Sequence, residues 1–243
     1  MRGKKIASGL FILLFYYSTN TVLAQTKVEA SISGDIVSSY VWRGFKQAGA
    51  SVQPALSFSL KNFSIGAWAS TDFTSNESSK KEVDFYASYS TGNLSLTLTD
   101  YWWDGEGAYR YFSSPQDGNA GHLLEAGIAY TLPAAFPLSL SCNTFVLGEG
   151  NKKANGNNSF STYIELSYPF SVSSIDMSLS AGFIPWESAV YGSDMDSFKF
   201  TNLQLKGTKE IKITDSFSVP LFTSIIANPA AEDIHFVLGF TIK

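Results

Sequence analysis

Residues 52–73 read VQPALSFSLKNFSIGAWASTDF, a stretch in which apolar side chains alternate with small or polar ones. Leu56 and Phe58 lie on one face of the first segment, and Ser57 lies on the other. The link Lys61-Asn62 separates this segment from a second one with the same alternation. A period of two is typical of β-strands, and a short polar link between two such segments is typical of a hairpin. The stretch therefore predicts two antiparallel strands joined by a tight turn.

The same period of two recurs along the rest of the chain, in segments of about ten residues. We count twelve segments in all, and no linker divides them. The apolar rows outside residues 52–73 lie at 28–36, 83–89, 94–98, 124–130, 138–142, 164–168, 175–183, 203–205, 217–221 and 234–242. This pattern predicts an all-β protein, a single antiparallel up-and-down transmembrane β-barrel of about 12 strands, because only a closed sheet pairs every backbone group in lipid.

The connections between these segments alternate between short and long. Short links lie at 61–62, 91–93, 133–137, 170–174 and 212–216, and longer polar loops lie at 45–50, 74–81, 104–121, 148–158, 186–197 and 227–232. With an even strand count, the short links share one end of the barrel and the long loops share the other. We therefore expect periplasmic turns and termini with extracellular loops, as in outer-membrane barrels. The sequence leaves open whether loop 104–121 folds into the lumen.

The chain begins with the basic segment MRGKK, an apolar run of twelve residues and a small-residue site that ends at Ala24. This is the pattern of a cleaved secretory signal, and the run is shorter than the roughly 20 residues of a spanning helix. We expect residues 1–24 to be a signal peptide and residues 25–243 to form one outer-membrane barrel. Cleavage removes three basic residues and no acid, so the net charge changes from −4 to −7. That charge argues against a nucleic-acid-binding surface.

Charged side chains fall mostly on the face opposite the apolar rows, as expected if that face lines a lumen. Eight acids and two bases share this face, so an open pore would have a mild preference for cations. The residues that we expect to line the pore are Asp35, Arg43, Trp68, Asp72, Asp84, Tyr86, Glu125, Tyr163, Glu165, Asp176 and Lys206. The aromatic members could stack against solutes or simply fill the lumen.

Two positions depart from the simple alternation. Asp100 is in register with the apolar row of its strand, which predicts a β-bulge near Thr99 that turns the carboxylate away from lipid. Phe198 and Phe200 are out of register with the row that follows them, which predicts a second irregularity near Asn202.

The first strand continues into a cluster of aromatic residues around one arginine. Tyr40 and Trp42 extend its apolar row, so we expect them in the lipid-facing aromatic girdle. Arg43 then points into the lumen and is separated from Trp42 by the strand itself. Gly44 allows the chain to turn into the first outside loop.

Residues 38–70 contain a Tyr-x-x-Arg-Gly element that begins at Tyr40, a proline in the second strand, Pro54, and a Gly-x-Trp element, Gly66 with Trp68. In these features the chain resembles the start of the TorF-type porin family of Gram-negative outer-membrane β-barrels, which is also described as a family of unknown function. The resemblance implies a small barrel of porin type without a settled substrate. Residues 45–47 depart from the small and hydroxylated residues of that family.

Three functions of different classes fit the sequence. The first is a porin-like channel for passive diffusion of small solutes, because twelve strands enclose a lumen wider than a filled eight-stranded barrel. The second is an outer-membrane hydrolase. A symmetric last hairpin would place Ser224 opposite His235, with Asp233 on the same face, and these are the residue types of a nucleophilic triad. The third is a plugged barrel with a structural or surface-recognition role. We favour the channel over an enzyme.

The expected partners are outer-membrane lipid and small solutes, and the oligomeric state is not indicated. The chain has two histidines and one cysteine, Cys142, far apart in sequence, so metal-ligand spacing is absent. No glycine-rich phosphate loop occurs either. We therefore expect no metal and no cofactor.

Overall fold

The computed structural model describes residues 27–72, 74, 81–104, 111–112, 121–192 and 195–243. Within these residues, twelve strands close into one antiparallel barrel, so the predicted fold is confirmed. The predicted signal peptide, residues 1–24, lies outside the described residues. In the described part of the chain, no helix is long and apolar enough to cross a membrane.

The barrel strands follow one another around the ring in chain order. The strands are β1 (Glu29–Val37), β2 (Tyr40–Trp42), β3 (Phe45–Ala48), β4 (Ser51–Leu60), β5 (Phe63–Asp72), β6 (Lys81–Thr91), β7 (Leu94–Asp104), β8 (His122–Thr131), β9 (Ser139–Leu147), β10 (Thr162–Val172), β11 (Ile175–Ile184), β12 (Lys199–Lys212), β13 (Ser218–Asn228) and β14 (Asp233–Ile242). A turn of 3-10 helix lies at Glu149–Asn151. β2 and β3 form a separate two-stranded sheet, and β1 closes the barrel by pairing with β4 and β14.

The connections at one end of the barrel are longer than those at the other, as predicted, except that 229–232 is shorter than 132–138 and 213–217. One end, which we call the turn rim, carries the connections 61–62, 92–93, 132–138, 173–174 and 213–217 together with both ends of the barrel chain. The other end, the loop rim, carries the connections 38–50, 73–80, 105–121, 148–161, 185–198 and 229–232. Lys61, Gly92 and Ser173 adopt positive φ in the two-residue turns, as tight hairpins require.

Large apolar side chains are exposed over the outer face of the barrel. Ile32, Ile65 and Phe236 are 73%, 59% and 65% exposed, and every barrel strand contributes similar residues. A soluble protein rarely exposes a continuous apolar patch larger than a few hundred Å². A lipid-facing barrel requires such a surface. The structure is therefore compatible with an outer-membrane barrel.

The predicted irregularity near Asn202 is confirmed as a β-bulge in β12. Gly182 pairs with Asn202, but the next residue of β11, Phe183, pairs with Phe200, so Thr201 is the extra residue. As a result, Thr201 and Asn202 are both buried. The bulge thus aims two consecutive polar residues into the barrel.

The predicted bulge near Thr99 is wrong. β7 pairs with β6 and β8 without a shift of register, so Asp100 stays in the outward row. Its carboxylate lies 2.9 Å from Nδ1 of His122 and accepts a hydrogen bond of 2.5 Å from the Tyr111 hydroxyl. These partners supply hydrogen bonds to the Asp100 carboxylate on the outer face without a bulge. Tyr111 also packs on the outward Phe85, so loop 105–121 lies against the outer wall at this residue.

Candidate functional site

The segment between β1 and β4, expected to be the end of the first strand followed by an outside loop at 45–50, folds back into the barrel. We call β2, β3 and their turn, residues 40–48, the inner hairpin. The turn residues Arg43 and Gly44 have φ values of 53° and 88°, as a tight two-residue hairpin turn requires. Glycine adopts such values freely, whereas for other residues the left-handed conformation costs about 1–2 kcal/mol. Strain of this kind persists where surrounding contacts fix it.

Arg43 is fixed by an ion pair with the barrel wall. Its two terminal nitrogens donate to the carboxylate of Glu125 on β8 at 2.6 and 2.8 Å. The side chains of Arg43 and Glu125 are only 10% and 4% exposed. The guanidinium also donates to the hydroxyl of Tyr191 and lies 4.4 Å from the Trp42 ring and 4.8 Å from the Tyr163 ring. Paired donors and flat aromatic faces both suit a planar guanidinium.

The prediction that the strand separates Arg43 from Trp42 is therefore wrong. The positive φ at Arg43 turns its side chain back over the neighbouring ring. The contact is a cation–π interaction in a site that excludes most solvent, where such contacts are strongest.

Other residues of the inner hairpin contact the wall on opposite sides of the lumen. The hydroxyl of Tyr40 donates to Oε2 of Glu82 at 2.9 Å, and its ring lies 5.5 Å from Trp68. At the turn, Nδ2 of Asn228 donates to the Gly44 carbonyl oxygen at 3.2 Å. The inner hairpin therefore spans the lumen from β5 and β6 to β13.

Trp42 belongs to a cluster of aromatic side chains below the loop rim. Its ring stacks on Tyr191, with centroids 5.5 Å apart and planes at 23°. Because Tyr40 is buried and Trp42 packs inside the barrel, their predicted place in a lipid-facing girdle is wrong. The buried members of the cluster are Tyr101, Leu123, Phe145, Tyr163, Ile184, Tyr191 and Met195.

The described residues of loop 185–198 fold inward and add Tyr191 to this cluster. Oγ of Ser161 accepts hydrogen bonds from the backbone amides of Ala189 and Val190 at 3.0 and 3.3 Å. Burial raises the pKa of the Tyr191 hydroxyl well above its ordinary value, although the nearby Arg43 acts in the opposite direction. Tyr191 therefore stays neutral, and the charge of Arg43 is compensated by a carboxylate.

The residues expected to line the pore fall into two groups. One group, Arg43, Asp72, Asp84, Glu125, Tyr163 and Glu165, is buried or half-buried toward the loop rim. Nζ of Lys81 lies 2.5 Å from Oδ1 of Asp72, and the Tyr163 hydroxyl donates to Glu165 at 2.5 Å. Paired side chains therefore fill much of this half of the lumen.

The second group, Asp35, Trp68, Tyr86, Asp176 and Lys206, lies elsewhere on the inner face. Asp35 accepts a hydrogen bond of 2.6 Å from Thr241, and Nζ of Lys206 lies 4.4 Å from the Phe222 ring centroid. Toward the turn rim, the positions opposite the exposed apolar rows are mostly small and hydroxylated. Serines at such positions include Ser31, Ser57, Ser59, Ser64, Ser88, Ser95, Ser139, Ser141 and Ser167.

Sequence reasoning missed Tyr191, Asn202 and Asn228 as parts of this site. Nδ2 of Asn202 donates to Glu165 at 2.9 Å, and the irregularity predicted beside Asn202 was a usable signal for it. The inner hairpin also had a signal, because a residue-glycine pair between two short β-prone segments is typical of a tight hairpin. Tyr191 and Asn228 lie in or beside loops without a recognisable motif.

The register of the last hairpin separates the hydrolase candidates. Ser224 pairs with Val237 and not with His235, so their predicted opposite placement is wrong. Oγ of Ser224 accepts a hydrogen bond from Gln204 at 3.1 Å. The structure describes Ser224, His235 and Asp233, and no hydrogen bond joins any two of them. Within the described residues, no three His, Cys, Asp or Glu side chains could hold a metal ion.

A family of bacterial proteins of unknown function, Gcw_chp, matches residues 23–218 of the chain. The chain belongs to this family. The match runs from before β1 to the start of β13, so the Gcw_chp region includes the inner hairpin and most of the wall that it contacts. No curated protein matches the chain. The Gcw_chp description assigns no activity, so the TorF-type resemblance and the porin function remain predictions.

Replacing Asn228 with Ala is expected to loosen the turn of the inner hairpin. The change removes the donor to the Gly44 carbonyl and the acceptor of the Ala230 and Ala231 amides. A buried polar group left without a partner costs about 1–3 kcal/mol. We expect a lower temperature for heat-induced change of gel migration than in the wild type. Asn155→Ala, in an exposed loop, should leave that temperature unchanged, and equal values for both variants would contradict the prediction.

Proposed function

We propose that the protein is an outer-membrane channel for small solutes whose lumen is held closed by the inner hairpin. In this proposal the turn rim and both termini face the periplasm, and the loop rim faces the outside. The exposed apolar outer face supports the membrane location. The ring of twelve strands supports a lumen wide enough to conduct once the inner hairpin leaves it.

The observation that carries this proposal is the Arg43–Glu125 ion pair inside the lumen. A buried ion pair is often no more stable than well-packed apolar residues of the same volume, so permanent filling of a lumen does not require one. A bidentate pair does supply one specific geometry for the docked hairpin. The polar contacts of Tyr40 and Gly44 add to that specificity. Such contacts suit a segment that docks and leaves as a unit.

The inner face toward the turn rim supports small polar solutes as the cargo. Serine hydroxyls dominate there, and they can hydrogen-bond solutes and water. Among the predicted pore-lining residues of the second group, Asp35 and Asp176 outnumber Lys206, so the mild cation preference expected from sequence remains part of the proposal.

Conductance in planar lipid bilayers tests the proposal. We expect the wild type to be closed most of the time, and a variant with residues 40–48 replaced by a two-residue Gly-Ser link to conduct steadily. A two-residue link is long enough to join the ends of the hairpin, because they are adjacent: the Tyr40 amide donates to the Gly49 carbonyl at 3.2 Å. The matched control carries the same link in place of residues 152–157, an exposed part of loop 148–161, and should remain closed.

The same measurement separates the channel from a plugged structural barrel. If the variant without the inner hairpin folds but never conducts, the channel proposal fails and the plugged barrel is favoured. The hydrolase has no supporting observation, because the last hairpin does not bring Ser224, His235 and Asp233 into contact.

A further inference from the structure

The barrel is closed between β1 and β14 by a short seam. Four residue pairs join these strands, 34–37 with 239–242, whereas eight pairs join β14 to β13. Toward the loop rim β14 continues to Asp233, but β1 has already ended at Val37. Residues 233–238 of β14 therefore present a strand edge that β1 does not cover.

This edge belongs to a part of the wall with an apolar outer face. Ile234 and Phe236 are 76% and 65% exposed. In hydrocarbon each unpaired backbone group costs several kcal/mol, and closed barrels normally leave no edge. An edge of this kind points to a partner strand.

The chain itself contains a segment with the matching register and side-chain pattern. Val37 pairs with Gly239, and continuing this register places Tyr40 opposite Phe236 and Trp42 opposite Ile234. Side chains alternate along a strand, so in that position Tyr40 and Trp42 would extend the outward apolar row of β1. The alternation that Tyr40 and Trp42 share with the outward residues of β1 fits this second position.

The inner hairpin is already a bent continuation of the β1–β4 hairpin. Val37 pairs with Ser51, and Tyr40 pairs with Ala48 in the same register. Straightening therefore needs no new pairing between β2 and β3. β2 also lies beside β14, because Val41 packs against a cluster that contains Val237. The movement required is a swing about the bend at residues 38–39 and 49–50.

Ser38 lies in the bend and forms two hydrogen bonds with Leu238 at the end of the free edge. Its amide donates to the Leu238 carbonyl at 2.8 Å, as in a continuing ladder. The Leu238 amide, however, donates to Oγ of Ser38 at 2.9 Å. In an antiparallel hydrogen-bonded pair this amide would donate to the backbone carbonyl of residue 38. The serine side chain thus satisfies the amide at the point where the ladder stops.

We infer that the edge of β14 at residues 233–238 is the docking site for the chain's own segment 38–42. In the closed state the hairpin bends inward and Arg43 pairs with Glu125. In the open state the hairpin straightens, lengthens the wall and pairs with β14, which removes residues 40–48 from the loop-rim half of the lumen. The functional role of this docking, opening of the lumen, rests on the proposed channel function. The docking itself is tested separately.

Disulfide trapping tests the docking site. Tyr40→Cys with Phe236→Cys in a Cys142→Ser background brings the two thiols opposite each other only in the open state. The Cα atoms of such a pair lie about 5.5 Å apart, within the roughly 4.4–6.8 Å that disulfides span. In the closed state Tyr40 is buried in the lumen and Phe236 is exposed on the outer face. We expect oxidation to convert most of the protein into a cross-linked form on non-reducing gels, and reductant to reverse it.

The control pair is Tyr40→Cys with Ile65→Cys, which also combines an inner and an exposed outer residue but lies on β5. It should not cross-link. If neither Tyr40→Cys/Phe236→Cys nor Trp42→Cys/Ile234→Cys cross-links in folded protein, the docking site is disproved. Cross-linking without conductance would support the docking site and contradict the channel. Conductance of the hairpin-deleted variant without cross-linking would support the channel and contradict the docking site.

Discussion

Gly44→Ala is expected to release the inner hairpin from the lumen and produce a channel that is open most of the time. A Cβ at residue 44 would overlap the backbone carbonyl oxygen of Thr201 and lie 2.7 Å from its carbonyl carbon. Backbone atoms of a bulged wall strand cannot move aside as the end of a flexible side chain can. The positive φ of 88° costs free energy for any residue with a Cβ in both positions of the hairpin, so the overlap with Thr201 is what disfavours the docked one. The docked turn is therefore the state that this substitution excludes.

Gly156→Ala, in the exposed part of loop 148–161, is the matched control for this change. A Cβ at Gly156 meets no atom within 4 Å, and its φ of 82° is close to that of Gly44. Conductance in planar bilayers should rise strongly for Gly44→Ala and stay at the wild-type level for Gly156→Ala. If correctly folded Gly44→Ala protein did not conduct, the close approach of residue 44 to Thr201 would not be what keeps the inner hairpin docked.

Glu125→Gln is expected to shift the hairpin toward its released state even though the side chain keeps its size. The substitution leaves the guanidinium of Arg43 buried without its carboxylate. Breaking a buried ion pair by removing one partner costs about 3–5 kcal/mol. Since about 1.4 kcal/mol corresponds to a tenfold change in an equilibrium, the ratio of closed to released protein should fall by about 10²- to 10⁴-fold. Bilayer conductance measures this ratio as open probability.

The double variant Arg43→Met with Glu125→Leu separates the effect of an unpaired charge from the loss of the hairpin contact. Apolar residues of similar volume commonly replace a buried ion pair without loss of stability, so this variant should be closed more often than Glu125→Gln. Asp215→Asn, which breaks the exposed pair with Lys212, should leave conductance unchanged because exposed pairs contribute little. If Glu125→Gln behaves like Asp215→Asn, the ion pair does not hold the hairpin.

The barrel could be predicted because its pattern is repeated in every strand. An apolar outer face and a more polar inner face constrain each residue in turn. The alternation over residues 52–73 and its repeats therefore predicts the number of strands and the end of the barrel at which each connection lies. The bulge at Thr201 was found for the same reason, since Phe200 and Leu203 cannot both face outward without an extra residue. Asp100 broke the rule without a bulge because His122, distant in sequence, supplies its partner.

The closed lumen could not be predicted from alternation. Tyr40 and Trp42 alternate in step with the outward residues of β1. Alternation along a strand gives no information about whether that strand stays in the barrel wall or leaves it. The contacts that draw them inward come from Glu82, Glu125 and Tyr191, which are brought together only when the ring closes. The sequence therefore predicts which faces of the wall are polar, but not which segment fills the space between them.

The Asp100–His122 pair on the outer wall also bears on how the barrel stands in a bilayer. On β7 the outward apolar row 94–98 ends at Asp100, so it is about 13 Å long at roughly 3.3 Å per residue along the strand. On β14 the outward row 234–242 is about 26 Å long by the same measure. Unequal hydrophobic heights on one rigid body are accommodated by tilting of its axis and by local thinning of the membrane. In a bilayer, the lipid beside β7 would therefore be thinner than the lipid beside the seam at β14.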